Sequence, residues 1–116
     1  MNYKKTFNFL KSLPVKLNSF YKKKSKSGIK VKNKSKDKKG FDPVTNFDKS
    51  FEKYIRLLIL KKFPNDSIIG EEFDDTKSDN HFQWSIDPID GTRAFVIGAP
   101  TWSNLIGLSF NEKSEI

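Results

Sequence analysis

The chain has 116 residues, with 22 lysines and arginines against 14 acids and a net charge of +8. That length allows one small domain with its own core. It has no cysteine, which excludes disulfides and thiolate metal sites, and a single histidine, His81, which cannot by itself build a zinc site.

No apolar run approaches the roughly 20 residues of a membrane span. The N-terminus lacks the apolar region and small-residue cleavage site of a signal peptide. A cytoplasmic protein without a membrane partner is expected. The charge is unevenly spread. Residues 1–40 carry 14 lysines and one acid, Asp37, whereas residues 41–116 carry 8 basic and 13 acidic residues. We therefore read two portions, an N-terminal helix with a lysine-rich loop (1–40) and an α/β portion (41–116).

In chain order, Phe7, Leu10, Leu13, Leu17, Phe20 and Tyr21 fall at helical spacing over residues 3–24. Pro14 interrupts them, which predicts two pieces or a kink. Residues 22–39 read as a solvated, lysine-rich loop, with a short strand at 29–33. The lysines have no interleaved aromatics and no binding fold behind them, so no specific nucleic-acid partner is expected. A contribution to general phosphate attraction fits either reading.

Thr45 followed by Asp48 resembles a capping box. Phe47, Phe51, Ile55, Leu58, Ile59 and Phe63 then predict a helix that ends at Pro64-Asn65-Asp66. Ser67-Ile68-Ile69-Gly70 reads as a short buried strand ending at Glu71-Glu72, and residues 73–80 as an acidic loop. Phe82, Trp84 and Ile86 alternate with polar residues, the mark of a strand with one buried face. After a turn at 87–92, Arg93-Ala94-Phe95 starts a short helix, Gly98-Ala99-Pro100 is a turn, and residues 102–110 are a further strand. This order predicts a layered α/β architecture.

Two acids, Asp87 and Asp90, flank Pro88 and stand against Gly91-Thr92. Magnesium takes oxygen ligands, few of them carboxylates, together with waters and substrate phosphate. Two such ions about 4 Å apart can clamp the attacking and leaving oxygens of a phosphoryl transfer. Glu71 at one strand end, Asp87 and Asp90 at another, and Asp48 in a first helical turn supply such ligands on stiff supports. The Ile89 carbonyl is a further oxygen. Gly91 and Thr92 would offer backbone N–H groups and a hydroxyl to a phosphate. Taken singly, Asp48 is a capping acid, Glu71-Glu72 a solvated pair, and Asp-Pro-x-Asp-Gly a turn. Their conjunction at element ends is what points to a site.

Asp42-Pro43-Val44-Thr45-Asn46-Phe47-Asp48, Gly70-Glu71-Glu72 and Trp84-Ser85-Ile86-Asp87-Pro88-Ile89-Asp90-Gly91-Thr92 resemble, in order and separation, the three N-terminal motifs of the inositol monophosphatase family. The match covers roughly residues 41–110. The continuation from Arg93 to Trp102 is similar to the histidinol-phosphatase branch. The resemblance implies part of the αβαβα sandwich of the inositol monophosphatase and fructose-1,6-bisphosphatase-like fold. It also implies a magnesium-dependent phosphate monoester hydrolase using metal-activated water and no phosphoenzyme.

By motif position, Glu71, Asp87, Asp90 and the Ile89 carbonyl would bind Mg2+, and Asp48 a further, weaker ion, for two or three ions in all. Glu71 and Thr92 would orient the water, with Asp90 completing the catalytic set. Asp90, Gly91 and Thr92 would contact a small phosphorylated substrate. A lysine before Asp42 often faces the site in this family, and Lys34, Lys36, Lys38 and Lys39 all qualify. Full-length relatives would be homodimers. The family's second half carries a further aspartate in a Trp-Asp motif and most substrate-selecting residues, and nothing in this sequence matches it. Exposed Phe-rich faces and little activity of this chain alone are therefore expected. The other readings are an inositol monophosphatase, a 3′(2′),5′-bisphosphate nucleotidase, or an inactive fragment.

Overall fold

The computed structural model describes residues 3–26, 28, 31–33, 43–78, 80–98, 102–110 and 113–114. Nine elements follow one another in these residues: α1 (Tyr3–Ser25), β1 (Val31–Asn33), β2 (Pro43–Thr45), α2 (Asn46–Lys62), β3 (Ser67–Gly70), β4 (Phe82–Asp90), α3 (Thr92–Val96), β5 (Ser103–Phe110) and β6 (Lys113–Ser114). β1 and β2 form an antiparallel pair. The other strands form a mixed sheet in the order β3-β4-β5-β6, with β3 parallel to β4 and the remaining pairs antiparallel. Helices beside a mixed sheet are the expected α/β class.

Of the two alternatives at Pro14, two pieces or a kink, the first is corrected, as is the start of the loop at Lys22. The helix is one element with Pro14 inside it, not two. Its buried stripe, Thr6, Phe9, Leu13 and Leu17, runs past the proline on both sides, so packing holds both halves where the lost i→i−4 bond would otherwise end the helix. The helix also extends through Lys22, Lys23 and Lys24, which were expected in the loop. Cations in a last turn face the negative end of the helix dipole, which favours them there.

α2 starts as its capping box predicts. The Thr45 hydroxyl accepts from the Phe47 N–H at 3.1 Å, and Asp48 Oδ2 accepts from the Thr45 N–H at 2.6 Å and from its hydroxyl at 2.7 Å. Phe47, Phe51, Ile55 and Ile59 then bury one face completely or nearly so.

The core lies between α1, α2 and one face of the sheet. Ile68, Trp84 and Leu108 form a row across β3, β4 and β5, set by the pairings Ile68↔Trp84 and Trp84↔Leu108, and all three are buried. Phe9 meets Trp84 edge-on at 5.5 Å and Phe63 at 5.3 Å. A second aromatic group joins Tyr21, Phe47, Phe95 and Trp102. Each such buried side chain contributes about 1.5–3 kcal/mol by leaving water. Trp84 also needs a partner for its indole N–H, which donates to Asp66 Oδ2 at 2.9 Å. Burial pushes the Asp66 carboxyl above its ordinary value of 3.8, while the Trp84 hydrogen bond and the Lys5 charge pull the other way.

Among the described residues the expected exposed Phe-rich faces are not found. Of the described phenylalanines only Phe7 and Phe73 are exposed. The rings sit on the helix-covered side, and the opposite face of β4 and β5 presents Ser85, Ser103 and Leu105 to solvent. No helix among the described residues is long and apolar enough to cross a membrane.

Candidate metal and phosphate site

Glu71 directly follows β3, and Asp87 lies at the same level within the adjacent parallel strand β4. β3 ends at Gly70, paired with Ile86, so the next residue on each chain is a candidate ligand. Carboxyl ends of parallel strands are where α/β sheets commonly hold ligands.

The geometry of Asp87 and Asp90 depends on a bulge. β4 was expected to stop near Ile86 and turn, but it runs on to Asp90. In a regular strand, residues three apart point to opposite faces. Here Asp87 pairs with Leu105 and Asp90 with Ser103, so Pro88 and Ile89 stand opposite Asn104 alone. Leu105 and Ser103 are two apart and share a face, and paired residues share a face as well. The extra residue therefore brings both aspartates to the same side, away from the Trp84–Leu108 row. Pro88 has no N–H to give a ladder and is tolerated at such a bulge. The Asn104 side chain ties the bulge by donating Nδ2–H to the Pro88 carbonyl.

The strand then turns through Gly91, whose φ of 87° lies in the left-handed region open to glycine. Thr92 begins α3. Its Oγ1 lies 3.1 Å from the Ile89 carbonyl oxygen and 3.4 Å from Asp48 Oδ1. One hydroxyl proton serves two acceptors, and this contact joins the starts of α2 and α3 across 44 residues of sequence. Asp48 thus caps α2 through Oδ2 and accepts from Thr92 through Oδ1. It is buried, Asp87 half-buried, and Glu71, Asp90 and Gly91 exposed.

The topology gathers Glu71, Asp87 and Asp90 along one strand-end region, and a hydrogen bond links Asp48 to Thr92. It does not draw the acids into one closed sphere. Among the described residues no group of three or more His, Cys, Asp or Glu stands close enough to hold an ion. The donor set nevertheless fits a hard divalent cation, since carboxylates and a main-chain carbonyl are all oxygen ligands. Asp42 and the candidate lysines Lys34, Lys36, Lys38 and Lys39 lie outside the described residues.

Sequence reasoning missed a charged stripe on α2. Asp48, Glu52 and Arg56 recur at spacing four beside the apolar stripe 47-51-55-59, and all three are buried. Glu52 Oε2 accepts from Arg56 Nε at 3.0 Å. Charged residues at i, i+4 and i+8 next to an apolar stripe were the available signal.

The profile of the inositol monophosphatase family matches residues 7–116. The chain belongs to the inositol monophosphatase family. The match begins in α1, well ahead of the first motif. A histidinol-phosphatase of Chlorobaculum parvum is 50% identical over 66 residues, covering 57% of this chain and 26% of the relative. A fructose-1,6-bisphosphatase/inositol-1-monophosphatase of Aquifex aeolicus is 38% identical over 85 residues, covering 72% of this chain and 32% of the relative. A solved IMPase/NADP phosphatase complexed with Mg2+ and phosphate shares the fold, with a TM-score of 0.75 at 20% identity over 94% of this chain and 41% of that one. The chain thus spans about a quarter to a third of the curated relatives it matches.

Proposed function

We propose that this chain carries the cation- and phosphate-binding portion of a magnesium-dependent phosphate monoester hydrolase acting on histidinol phosphate. The observation that carries the reading is the bulge at Pro88-Ile89, which puts Asp87 and Asp90 on one face beside the end of β3. The 50% identity to a histidinol-phosphatase supports the substrate.

Glu71, Asp87, Asp90 and the Ile89 carbonyl would hold the cations, with Asp48 Oδ1 available to a further, weaker ion. When bound, these ions would offset the charge of the phosphate and lower the pKa of water to the neutral range. Glu71, exposed at the end of β3, would take the proton of the attacking water. Thr92, its hydroxyl already steered by Ile89 and Asp48, would orient that water. Gly91, without a side chain and in a left-handed conformation, would let the substrate phosphate approach the main chain, with Asp90 and Thr92 on either side. Water oxygen would bond to phosphorus as the ester P–O bond breaks, and the leaving alkoxide would take up a proton. A cytoplasmic location belongs to the same reading.

The test is orthophosphate release by the full-length gene product from histidinol phosphate, inositol 1-phosphate and 3′-phosphoadenosine 5′-phosphate, with Mg2+ and with chelator. Histidinol phosphate is expected to be turned over fastest, with loss of activity on chelation and in Asp87→Asn. No release from any of the three substrates refutes the reading. Faster turnover of one of the other two supports a second reading within the family. The Aquifex relative, which matches more of this chain at lower identity, motivates that alternative.

A further inference from the structure

We propose that Glu52, locked by Arg56, is the positioning residue for Glu71. The inference rests on the reading of Glu71 as a cation ligand. Glu52 is completely buried, and both of its carboxylate oxygens are directed at the turn that follows Glu71. Oε1 accepts from the Glu72 N–H at 2.9 Å and Oε2 from the Phe73 N–H at 3.0 Å. Arg56 completes the clamp from the next turn of α2. Its Nε donates to Glu52 Oε2 at 3.0 Å, Nη2 to the Phe73 carbonyl at 3.2 Å and Nη1 to Thr76 Oγ1 at 3.2 Å. Thr76 in turn exchanges both main-chain hydrogen bonds with Ile68 of β3, each 2.8 Å long. The segment from Glu71 to Thr76 is therefore pinned by one helix at its start and by one strand at its end.

A buried ion pair is a poor device for stability alone, since its desolvation offsets much of its attraction. This pair aims two charge-assisted acceptor positions at consecutive amides, which sets the backbone on the C-terminal side of Glu71. Gly70 belongs to the same device. A Cβ at position 70 would lie 2.5 Å from Glu52 Cδ and Oε1, so the carboxylate can reach its amides only past a glycine. Groups that orient a metal ligand typically change affinity 10–100-fold when removed.

The experiment uses the full chain and two readouts. The first is hydrogen exchange of the Glu72 and Phe73 amides by NMR. The second is Mn2+ binding by electron paramagnetic resonance. Glu52→Gln, nearly isosteric, is expected to lose protection at both amides and to weaken Mn2+ binding about tenfold or more. Arg56→Lys, which keeps the charge and loses the fork, gives the same change to a smaller degree, and it serves if the Gln variant does not fold. Ile59→Val, a core change on the same helix, lowers the melting midpoint and leaves Mn2+ affinity unchanged. Wild-type affinity in Glu52→Gln and Arg56→Lys, or an equal loss in Ile59→Val, overturns the positioning role alone. A wild-type chain that binds no Mn2+ overturns the metal site itself, and the positioning role with it.

Discussion

Replacing Thr45 by valine tests the junction on which Asp48 depends. Valine keeps the shape of threonine and removes only the hydroxyl. At this buried position the hydroxyl does two jobs, accepting from the Phe47 N–H at 3.1 Å and donating to Asp48 Oδ2 at 2.7 Å. Loss of an N-cap acceptor costs about 1 kcal/mol, within a range of roughly 0.5–2. Loss of a hydrogen bond to a carboxylate costs about 1.5–3 kcal/mol. The two share one oxygen and do not add in full, so we expect a loss of about 2–3 kcal/mol. Equilibrium urea unfolding, followed by the fluorescence of Trp84 and Trp102, reads this directly. With a slope of about 1–3 kcal/mol/M for a small chain, the midpoint falls by about 0.7–3 M at unchanged slope. Thr45→Ser, which keeps the hydroxyl, stays within about 0.5 kcal/mol of wild type. A valine variant as stable as wild type, or a serine variant as unstable as valine, would refute the assignment of this hydroxyl as a buried cap.

Other predictions follow from single contacts. Asn104→Ala removes the side-chain donor to the Pro88 carbonyl and is expected to cost about 1 kcal/mol, a drop of about 4–8 °C in melting midpoint by calorimetry; no drop would mean that the bulge holds itself. Gly70→Ala forces the Glu52 carboxylate off its amides, so its stability loss and that of Glu52→Gln should be non-additive in a double-mutant cycle; full additivity would separate the two. Asp66 has its carboxyl pKa raised by burial, so the folded state holds that proton more tightly than the unfolded chain. Stability from this group is therefore present below 3.8 and lost as pH rises through the folded value. Asp66→Asn removes that slope, and its urea midpoint should gain on wild type as pH rises from below 3.8 to neutrality; a pH-independent difference would count against the assignment.

Local chemistry made much of the fold legible. The helical stripe from Phe47 to Phe63, the Thr45–Asp48 cap, and the alternation of Phe82, Trp84 and Ile86 each depend on residues within a few positions of one another. The family motifs are equally local, so Glu71, Asp87, Asp90 and Thr92 could be chosen before any coordinates. The two-piece alternative at Pro14 fails because a helix break is only a local penalty. The burial of Phe9, Leu13 and Leu17 against α2 and β4 outweighs it from outside the segment.

The sequence by itself determined the order and kind of most elements, which acids are candidates, and to which family the chain belongs, because periodicity, capping and motif spacing are short-range properties. Only the tertiary structure decided which way those acids face. The single-face placement of Asp87 and Asp90 arises from an offset against β5, not from their own spacing. The Asp48–Thr92 link spans 44 residues, and the grip of Glu52 and Arg56 on the turn after Glu71 reaches about 20 residues along the chain. Such contacts form only when distant elements dock, and register and burial are properties of the docked elements together.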